Sequence, residues 1–344
     1  MAFFQPLLNH ESVQELAKQD NLTTVPHQYV QDHREPTFVP NDTSPLPSIP
    51  VIDMNDLIME GSNMDLQLKH LHSLVNHGVD ESLVDQMKNE VVRFFEAPIE
   101  EKLRYKLKGG EYEGYGQTIL HAQGQKIDWA DRFFMITNPI HRRKPNLLPD
   151  FPPSLRITLE KYMGEVQKLG MSLLGLIGRS LDIEKEEMMK IFEDGMQSVR
   201  MTYYPPCPQP DLVVGLTPHS DAAGITILLQ LNNVQGLQVN KDGLWIPVTF
   251  LPHAFVVNVG DILQHRAVVN ASKERLSLAM FFNPKLEADV GPSKSLLTKT
   301  GKLPLYKTLV MEQYLKQFFS RKLNGKTFLH KMKINNQDHA SSSN

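Results

Sequence analysis

The segment from residue 198 to residue 284 most strongly constrains the fold. Short apolar runs alternate there with clusters of Pro, Gly, Asn and Asp. Such runs are typical of β-strands, and a spacing near ten residues favours an antiparallel sandwich or jelly roll. The predicted strands are Val199–Tyr204, Ile225–Leu231, Leu237–Val239, Trp245–Val248, Phe255–Val259 and Leu276–Phe282.

Helices are predicted on both sides of this β region. Apolar residues recur at helical spacing in 64–75 and 80–97, and a long amphipathic pattern runs from Pro152 to about Leu181. An acidic helix, Glu184–Phe192, follows it, and a last helix covers about Thr308–Arg321. We therefore predict an α+β protein with a jelly-roll core and flanking helices.

The 344 residues divide into four predicted parts. Residues 1–46 are a polar, Pro-rich extension with a short helical pattern at Ser12–Lys18, and residues 47–197 are mostly helical. Residues 198–300 form the β core, and residues 301–344 hold the last helix and a disordered tail.

Composition narrows the function. The chain has 36 Lys+Arg against 39 Asp+Glu, which argues against nucleic acid as a partner. The single cysteine, Cys207, excludes an internal disulfide and any cysteine-based zinc or iron–sulfur site. No apolar run reaches the ~18 residues of a membrane span, and residues 1–6 make a poor signal peptide. We expect a cytoplasmic protein that binds neither nucleic acid nor a membrane, with a monomer as the default expectation.

The segment Thr217–Asp221 holds a candidate metal-binding pair. Alternate side chains of an extended chain share a face, so His219 and Asp221 can point the same way. His265, 46 residues further on, is the natural third ligand. Two histidines and one carboxylate suit non-haem Fe(II), because they leave coordination positions open. The alternatives are a surface turn for the first pair and a half-buried strand histidine for His265.

A second pair lies in the sequence Glu274-Arg275-Leu276-Ser277. Arg275 and Ser277 share one face of a predicted strand. A guanidinium group and a hydroxyl group can together hold the distal carboxylate of a dicarboxylate. The alternative is a solvated arginine at a strand edge.

Six motifs follow one another through the β region: MTYYPPCPQP (201–210), GLTPHSD (215–221), GITILLQ (224–230), DGLWIPV (242–248), NVGD (258–261) and ERLS (274–277). Together they resemble plant 2-oxoglutarate- and Fe(II)-dependent dioxygenases, which are built on a double-stranded β-helix, a cupin-like jelly roll. The segments DWAD (128–131), EDGMQ (193–197) and RKLNGK (321–326) resemble one branch of that family. This branch includes senescence-related, codeine and thebaine O-demethylase and norcoclaurine-synthase-like members.

The resemblance implies an enzyme and assigns roles to residues. His219, Asp221 and His265 would hold iron, and Arg275, Ser277 and Tyr204 would bind 2-oxoglutarate. Fe(II), 2-oxoglutarate and O2 would be required, with ascorbate in a supporting role. 2-Oxoglutarate would be converted to succinate and CO2 while a hydrogen atom is removed from a small specialised metabolite, which gives hydroxylation or O-demethylation.

Four aromatic residues are candidates for substrate contact. Phe281 shares a strand face with Arg275, and Tyr115, Phe133 and Phe134 lie in segments that resemble substrate-facing ones of the family. Packing in the core is an equally good explanation for each of them.

The chain departs from the family pattern at three places. A Trp-Gly-Phe-Phe-containing strand normally precedes Val75, and we expect this edge strand to be missing. Only Gln264 separates Leu263 from His265, about ten residues fewer than the pattern, which equals a turn and half a strand on each side. This deletion is expected to shift His265 or the strand behind it. Thr202 stands where the family usually has Asn, which predicts a weaker affinity for the cosubstrate.

Three hypotheses follow from these departures. The first is an active dioxygenase in which the shortened connection still delivers His265. The second is an inactive or folding-compromised paralogue, splice product or gene-model error that at most binds small ligands. A zinc hydrolase is a weaker third, because it would have no use for Arg275 and Ser277.

Overall fold

The computed structural model describes residues 12–31, 49–59, 72–108, 111–117, 126–261, 263–319 and 327–334. Two sheets face each other across a cavity, and helices cover the outer face of the larger sheet. Apart from one parallel pair at its edge, the larger sheet is antiparallel. Its strands lie in the order β1 (Val51–Asp53), β2 (His72–Val75), β10 (Phe255–Val259), β7 (Ile225–Gln230), β12 (Arg275–Phe282), β5 (Gln197–Tyr204), β4 (Asp131–Asn138) and β3 (Gly114–Gly116).

The smaller sheet is antiparallel and carries part of the candidate metal site. Its strands lie in the order β6 (Leu216–His219), β11 (His265–Ala267), β8 (Leu237–Lys241) and β9 (Leu244–Pro247). A short ribbon of β13 (Asp289–Val290) and β14 (Leu309–Val310) lies outside both sheets. This pair of facing antiparallel sheets is the predicted jelly-roll core.

The described helices pack mainly around these sheets. The long helix α5 (Pro153–Ser180) contacts β7, β12 and helix α3 (Glu81–Glu96), and its Gly170 leaves room for the Phe282 ring. No described helix is long and apolar enough to cross a membrane. The helices are α1 (Val13–Ala17), α2 (Met54–Met59), α3 (Glu81–Glu96), α4 (Ile99–Leu103), α5 (Pro153–Ser180), α6 (Lys185–Phe192), α7 (Lys294–Thr300), α8 (Met311–Phe319) and α9 (Thr327–Lys331).

Strand alternation separates the helix-facing core from the cavity. On β12, Leu276, Leu278 and Met280 are buried in the core beneath the helices. The residues between them, Ser277, Ala279 and Phe281, line the cavity side. Successive side chains of a strand point to opposite faces of the sheet. One face of this sheet therefore packs under the helices, and the other lines the cavity.

Most predicted elements are confirmed, and two predictions near residue 72 are wrong. Residues 72–75, which the sequence pattern assigned to a helix, form β2, while residues 64–71 lie outside the described part of the chain. Since β2 pairs with both β1 and β10, the expected loss of an edge strand is also wrong. The local spacing was misleading because three of the four residues of this strand are buried, and a short buried strand shows no alternation that distinguishes it from a helix.

Part of the N-terminal extension packs onto the core. Val13 and Tyr29 are almost fully buried, and Tyr29 meets Trp129 edge to face at 5.0 Å between ring centroids. The buried carboxylate of Asp131 accepts hydrogen bonds from the backbone N–H groups of Val13 and Gln14, both 3.0 Å, and from the Ser12 hydroxyl. These contacts attach the first described helix to β4.

Candidate active site

Three potential metal ligands converge where the two sheets meet. His219 ends β6, Asp221 follows two residues later, and His265 begins β11 directly opposite His219 in the strand register. The Nε2 atoms of His219 and His265 lie 3.5 Å and 3.7 Å from Oδ1 of Asp221. One potential ligand atom from each residue lies within 4.8 Å of the others, so the three can bind a single ion.

Backbone carbonyl groups orient both imidazole rings. Nδ1 of His219 lies 2.7 Å from the Thr217 carbonyl oxygen, and Nδ1 of His265 lies 3.2 Å from the Leu263 carbonyl oxygen. Since a carbonyl oxygen only accepts, each Nδ1 carries the hydrogen and each Nε2 keeps its lone pair. Burial lowers the pKa of His265 to about 4, although Asp221 opposes this shift. The His265 ring is therefore neutral at pH 7, as a metal ligand must be.

The two oxygens of the Asp221 carboxylate have different surroundings. Oδ2 accepts hydrogen bonds from Thr226 Oγ1 (2.7 Å) and Asn258 Nδ2 (3.1 Å), while Oδ1 faces the two imidazoles. Burial alone would raise the Asp221 pKa, but His265, His219 and the Thr226 hydroxyl lower it well below its usual range. An ionised carboxylate with one free oxygen and two imidazole lone pairs is a donor set that fits a divalent ion such as Fe(II).

The short connection before His265 is held against the His219–Asp221 loop. The Gly260 N–H donates to the Gly224 carbonyl (3.0 Å), and the Asp261 N–H donates to the Asp221 carbonyl (2.7 Å). A Cβ atom on Gly260 would lie 1.6 Å from the Ala223 carbonyl oxygen, so only glycine permits this approach. The expectation that this short connection shifts His265 is wrong, because His265 lies opposite His219 and within reach of Asp221.

The side chain of Asp261 adds a second connection. It accepts hydrogen bonds from Ser220 Oγ and from the Tyr314 hydroxyl, both 2.7 Å. Ser220 lies between two of the potential ligands, and Tyr314 lies on α8. The carboxylate therefore joins the metal-binding loop to the C-terminal helix.

A small pocket of about 40 Å³ lies beside the three ligands. Arg275, Ser277 and Tyr204 all line it, together with Asp221 and His265. Arg275 is only 2% exposed, its Nε donates to Gln230 Oε1 (3.2 Å), and its guanidinium carbon lies 5.0 Å from the Tyr204 ring centroid. The three residues predicted to bind 2-oxoglutarate thus share one pocket, and its buried cation suits a carboxylate.

A larger cavity of about 490 Å³ opens from the same site. His219 and Asp221 lie at its inner end, and β4, β5 and α8 form its walls. Its volume is in the range of pockets for drug-sized molecules. Wall residues include Phe134, Arg132, Arg200, Thr202, Phe281, Leu315 and Phe318.

Two of the four predicted substrate residues face this cavity. Phe134 and Phe281 line it, but Tyr115 and Phe133 do not. Phe133 packs against the Phe151 ring at 5.0 Å between centroids, and the Tyr115 hydroxyl donates to Asp131 Oδ2 (3.2 Å). The prediction of a substrate role for Tyr115 and Phe133 is therefore wrong, since both lie in the core beneath the helices.

Sequence reasoning missed several charged residues of the cavity wall, among them Arg200, Arg132 and Asp128. Arg200 precedes Thr202 and Tyr204 at the alternate positions of β5, so the period of two could have placed it on the cavity face. Arg132 is the alternate neighbour of Phe134 on β4. Asp128 accepts from Thr217 N–H (2.9 Å) and Oγ1 (2.6 Å), and burial raises its pKa to about 6 despite these bonds.

Comparison with known proteins agrees with this geometry. Residues 195–284 match the family model of the 2OG-Fe(II) oxygenase superfamily, and residues 49–151 match the model of the N-terminal region of non-haem dioxygenases in morphine synthesis. Protein SRG1 of Arabidopsis thaliana is 44% identical over 94% of this chain and 96% of its own length. Codeine O-demethylase of Papaver somniferum is 43% identical over 95% of this chain and 97% of its own length.

A solved structure gives the same result. JOX2, crystallised in complex with 2OG, Fe and JA, superposes with a TM-score of 0.83 at 33% sequence identity. The alignment covers 95% of this chain and 98% of JOX2. The chain therefore belongs to the 2-oxoglutarate- and Fe(II)-dependent dioxygenases, enzymes that require Fe(II), 2-oxoglutarate and O2 and act on small molecules.

Proposed function

We propose that this enzyme hydroxylates or O-demethylates a small specialised metabolite of a plant. The observation that carries the proposal is the convergence of His219, Asp221 and His265 despite the short connection before β11. The identity of 43% to codeine O-demethylase supports O-demethylation as one outcome. Hydroxylation of an O-methyl carbon gives an unstable hemiacetal that releases formaldehyde, so one hydrogen abstraction leads to either product.

The residues of this chain hold and orient the reactants. His219, Asp221 and His265 would hold the metal, and a set of three protein ligands leaves coordination positions for 2-oxoglutarate and O2. Arg275 and Ser277 bind the distal carboxylate of 2-oxoglutarate, and the Tyr204 hydroxyl adds a hydrogen bond. Iron, when bound with 2-oxoglutarate and O2, supplies the oxidising power that removes hydrogen from the substrate.

The cavity supplies orientation and limits the access of water. Its apolar walls, including Phe134 and Phe281 on neighbouring parts of the sheet, can hold a flat molecule with one carbon directed at the open metal positions. Exclusion of water protects the reactive site from side reactions. Thr202, which lies on the same wall, keeps a hydroxyl where the family usually has an amide, and we propose that this weakens 2-oxoglutarate binding.

The second candidate is an inactive member of the family that at most binds small ligands. The shortened connection before His265 is the observation that motivates it. The hydrogen bonds of Gly260 and Asp261 to the metal-binding loop argue against it, since they close the site without the deleted residues.

Turnover of 2-oxoglutarate separates the two candidates. We expect the purified protein to bind one Fe(II) and to release labelled CO2 from 2-oxoglutarate, faster when a suitable O-methylated flavonoid or alkaloid is added. Failure to bind Fe(II), together with a poorly cooperative thermal melt, would rule out the active enzyme. A monomeric state and a cytoplasmic location stay predictions, which size-exclusion chromatography and a fluorescent fusion would test.

A further inference from the structure

Two guanidinium groups face the large cavity from neighbouring strands. Arg132 on β4 pairs with Thr202 in the strand register, and Phe134 pairs with Arg200 on β5, so the two arginines are diagonal neighbours on the cavity face. Diagonal positions on adjacent strands are about 7–8 Å apart, within reach of long side chains. Their charges act on each other: burial, and next the charge of Arg200, lower the pKa of Arg132 to about 9.

Neither guanidinium has a carboxylate partner among the described residues. No described Asp or Glu forms a salt bridge with Arg132 or Arg200. Arg132 has only two long contacts, 3.5 Å each, with the Tyr112 carbonyl oxygen, and its buried Nε has no hydrogen-bond partner in the described structure. Leaving a buried charged donor unpaired costs free energy, so the site favours an anion.

The other charged groups of this cavity do have partners. Arg142 binds Glu287 (2.6 Å), and Glu312 binds Lys316 (3.0 Å). The Asp128 carboxylate accepts two short hydrogen bonds from Thr217. Burial raises the pKa of Asp128 and the charge of Arg200 opposes this shift, but Asp128 and Arg200 form no salt bridge. Lys126, which also lines the cavity, donates to the His27 carbonyl oxygen (3.2 Å). Among the described residues, Arg132 and Arg200 are therefore the two arginines of the cavity wall that form no salt bridge.

Aromatic rings hold the two cations in place. The guanidinium carbon of Arg132 lies 5.7 Å from the Phe134 ring centroid, and that of Arg200 lies 5.3 Å from the Phe281 centroid. Stacking on a ring face leaves the N–H edge of a guanidinium group free to bind an oxyanion. Arg200 lines both the large cavity and the 2-oxoglutarate pocket, so a bound anion would lie beside the open metal positions.

We propose that Arg132 and Arg200 form a carboxylate-binding subsite, and that the natural substrate of this enzyme is an organic acid. The inference rests on the proposed function in taking the occupant of the cavity as the substrate. The carboxylate bridges the two guanidinium groups, and the apolar body of the molecule lies along Phe134 and Phe281. Substrates without a negative charge leave both cations unpaired and bind less tightly.

A matched pair of probes tests the subsite without turnover. 2-Naphthoate carries the carboxylate, and 2-naphthamide has the same shape without the charge. Both are titrated by fluorescence under anaerobic conditions with Fe(II) and saturating 2-oxoglutarate, which blocks the Arg275 pocket. We expect the wild-type protein to bind naphthoate at least tenfold more tightly than naphthamide.

Variants assign this preference to the two residues. Arg132→Met and Arg200→Met should each abolish the preference for naphthoate and leave naphthamide binding unchanged, while Arg132→Lys should keep part of it. Arg179→Met, at an exposed position at the end of α5, is the control and should bind both probes like the wild type. Thermal melts identify any variant that fails to fold, and Arg132→Lys then carries the comparison.

Two results would overturn the subsite. One is a wild-type protein to which naphthoate binds no more tightly than naphthamide, whether both bind or neither does. The other is a preference that survives in folded Arg132→Met and Arg200→Met. Release of CO2 from 2-oxoglutarate by the same preparation is a separate readout. If CO2 release is normal but naphthoate binds no more tightly than naphthamide, only the carboxylate-binding subsite is refuted. If naphthoate binds more tightly but no CO2 is released, only the oxygenase function is refuted.

Discussion

The inner and outer ends of the cavity differ in how their polar groups are used. At the inner end, His219, Asp221 and His265 are each oriented by a hydrogen bond from or to the surrounding protein. At the outer end, Arg132 and Arg200 are held by aromatic rings and have no carboxylate partner in the described structure. The inner end is thus prepared for an ion and a small dicarboxylate, and the outer end is incomplete without a ligand.

This difference separates the residues expected to support every reaction of the enzyme from those expected to select its substrate. His219, His265, Arg275 and Ser277 lie on paired strands, and hydrogen bonds from Thr226 and Asn258 hold Asp221 in the loop after β6. The outer walls come from β4, β5 and α8, which lie far apart in the sequence. Changes at the inner end should therefore remove all reactions, whereas changes at the outer end should alter which substrate is accepted.

Removal of a metal ligand should have the largest effect. Loss of a residue that hydrogen-bonds to a metal ligand typically lowers metal affinity by about 10–100-fold. His265→Ala removes a ligand itself, so we expect a larger loss of Fe(II) affinity. 2-Oxoglutarate turnover should become undetectable, while the fold persists. Iron content after anaerobic reconstitution and CO2 release are the measurements. His253→Ala, at an exposed histidine, is the control, and unchanged iron content in His265→Ala would show that His265 is not a ligand.

Loss of the buried cation of the small pocket should come next. Arg275→Met removes the guanidinium group that would bind the distal carboxylate, a charge-assisted contact worth about 1.5–3 kcal/mol. We expect the KM for 2-oxoglutarate to rise about 10–100-fold with little change in Fe(II) binding. Arg179→Met is the matched control. An unchanged KM in Arg275→Met would place the cosubstrate elsewhere in the cavity.

A methyl group on Gly260 should break the close contact between the connection before β11 and the loop that carries Asp221. Its Cβ atom would lie 1.6 Å from the Ala223 carbonyl oxygen, so the backbone must move. Gly260→Ala should destabilise the protein by about 1–3 kcal/mol and weaken Fe(II) binding. Urea unfolding and iron titration would measure both effects.

Gly175→Ala is the control for this substitution. Gly175 lies within α5, and an added Cβ atom there meets no atom within 4 Å. Alanine should stabilise this helix by up to about 1 kcal/mol. Equal stability and equal iron affinity of the Gly260→Ala variant and the wild type would mean that the connection has another route to β11.

The smallest effect is expected for the hydrogen bond between Tyr314 on α8 and Asp261, which joins the cavity wall to the metal-binding loop. Tyr314→Phe removes the hydrogen bond from α8 to Asp261, worth about 1 kcal/mol. We expect a modest loss of stability and a higher KM for the organic substrate, with an unchanged KM for 2-oxoglutarate. Tyr306→Phe, whose hydroxyl makes no hydrogen bond within the described ranges, is the control. Equal shifts in both KM values would show that Tyr314 supports the whole site.

Sequence patterns predicted the inner end far better than the outer end. His219 and Asp221 are two residues apart, and Arg275 and Ser277 are two residues apart, so strand periodicity alone places each pair on one face. Phe281 follows from the same rule. Tyr115 and Phe133 have no residue of known orientation two positions away on their strands. Both lie on the helix-facing side of β3 and β4.

The short connection before His265 shows where local reasoning fails. Four residues from Asp261 to His265 reach about 13 Å if extended, which does not reveal the direction of the chain. The outcome depends on the Gly260 and Asp261 hydrogen bonds to residues some 40 positions earlier. Contacts of that kind are decided by the packing of the whole sheet.

The sequence by itself determined the fold class and the pairs His219–Asp221 and Arg275–Ser277, because strand spacing and the alternation of side chains along an extended chain are local properties. Only the tertiary structure decided that His265 still meets His219 and that Tyr115 and Phe133 are core residues. It also decided that Arg132 and Arg200 face one cavity. Each of these depends on which strands become neighbours, and strand pairing is set by the collective burial of apolar faces rather than by any local run of residues.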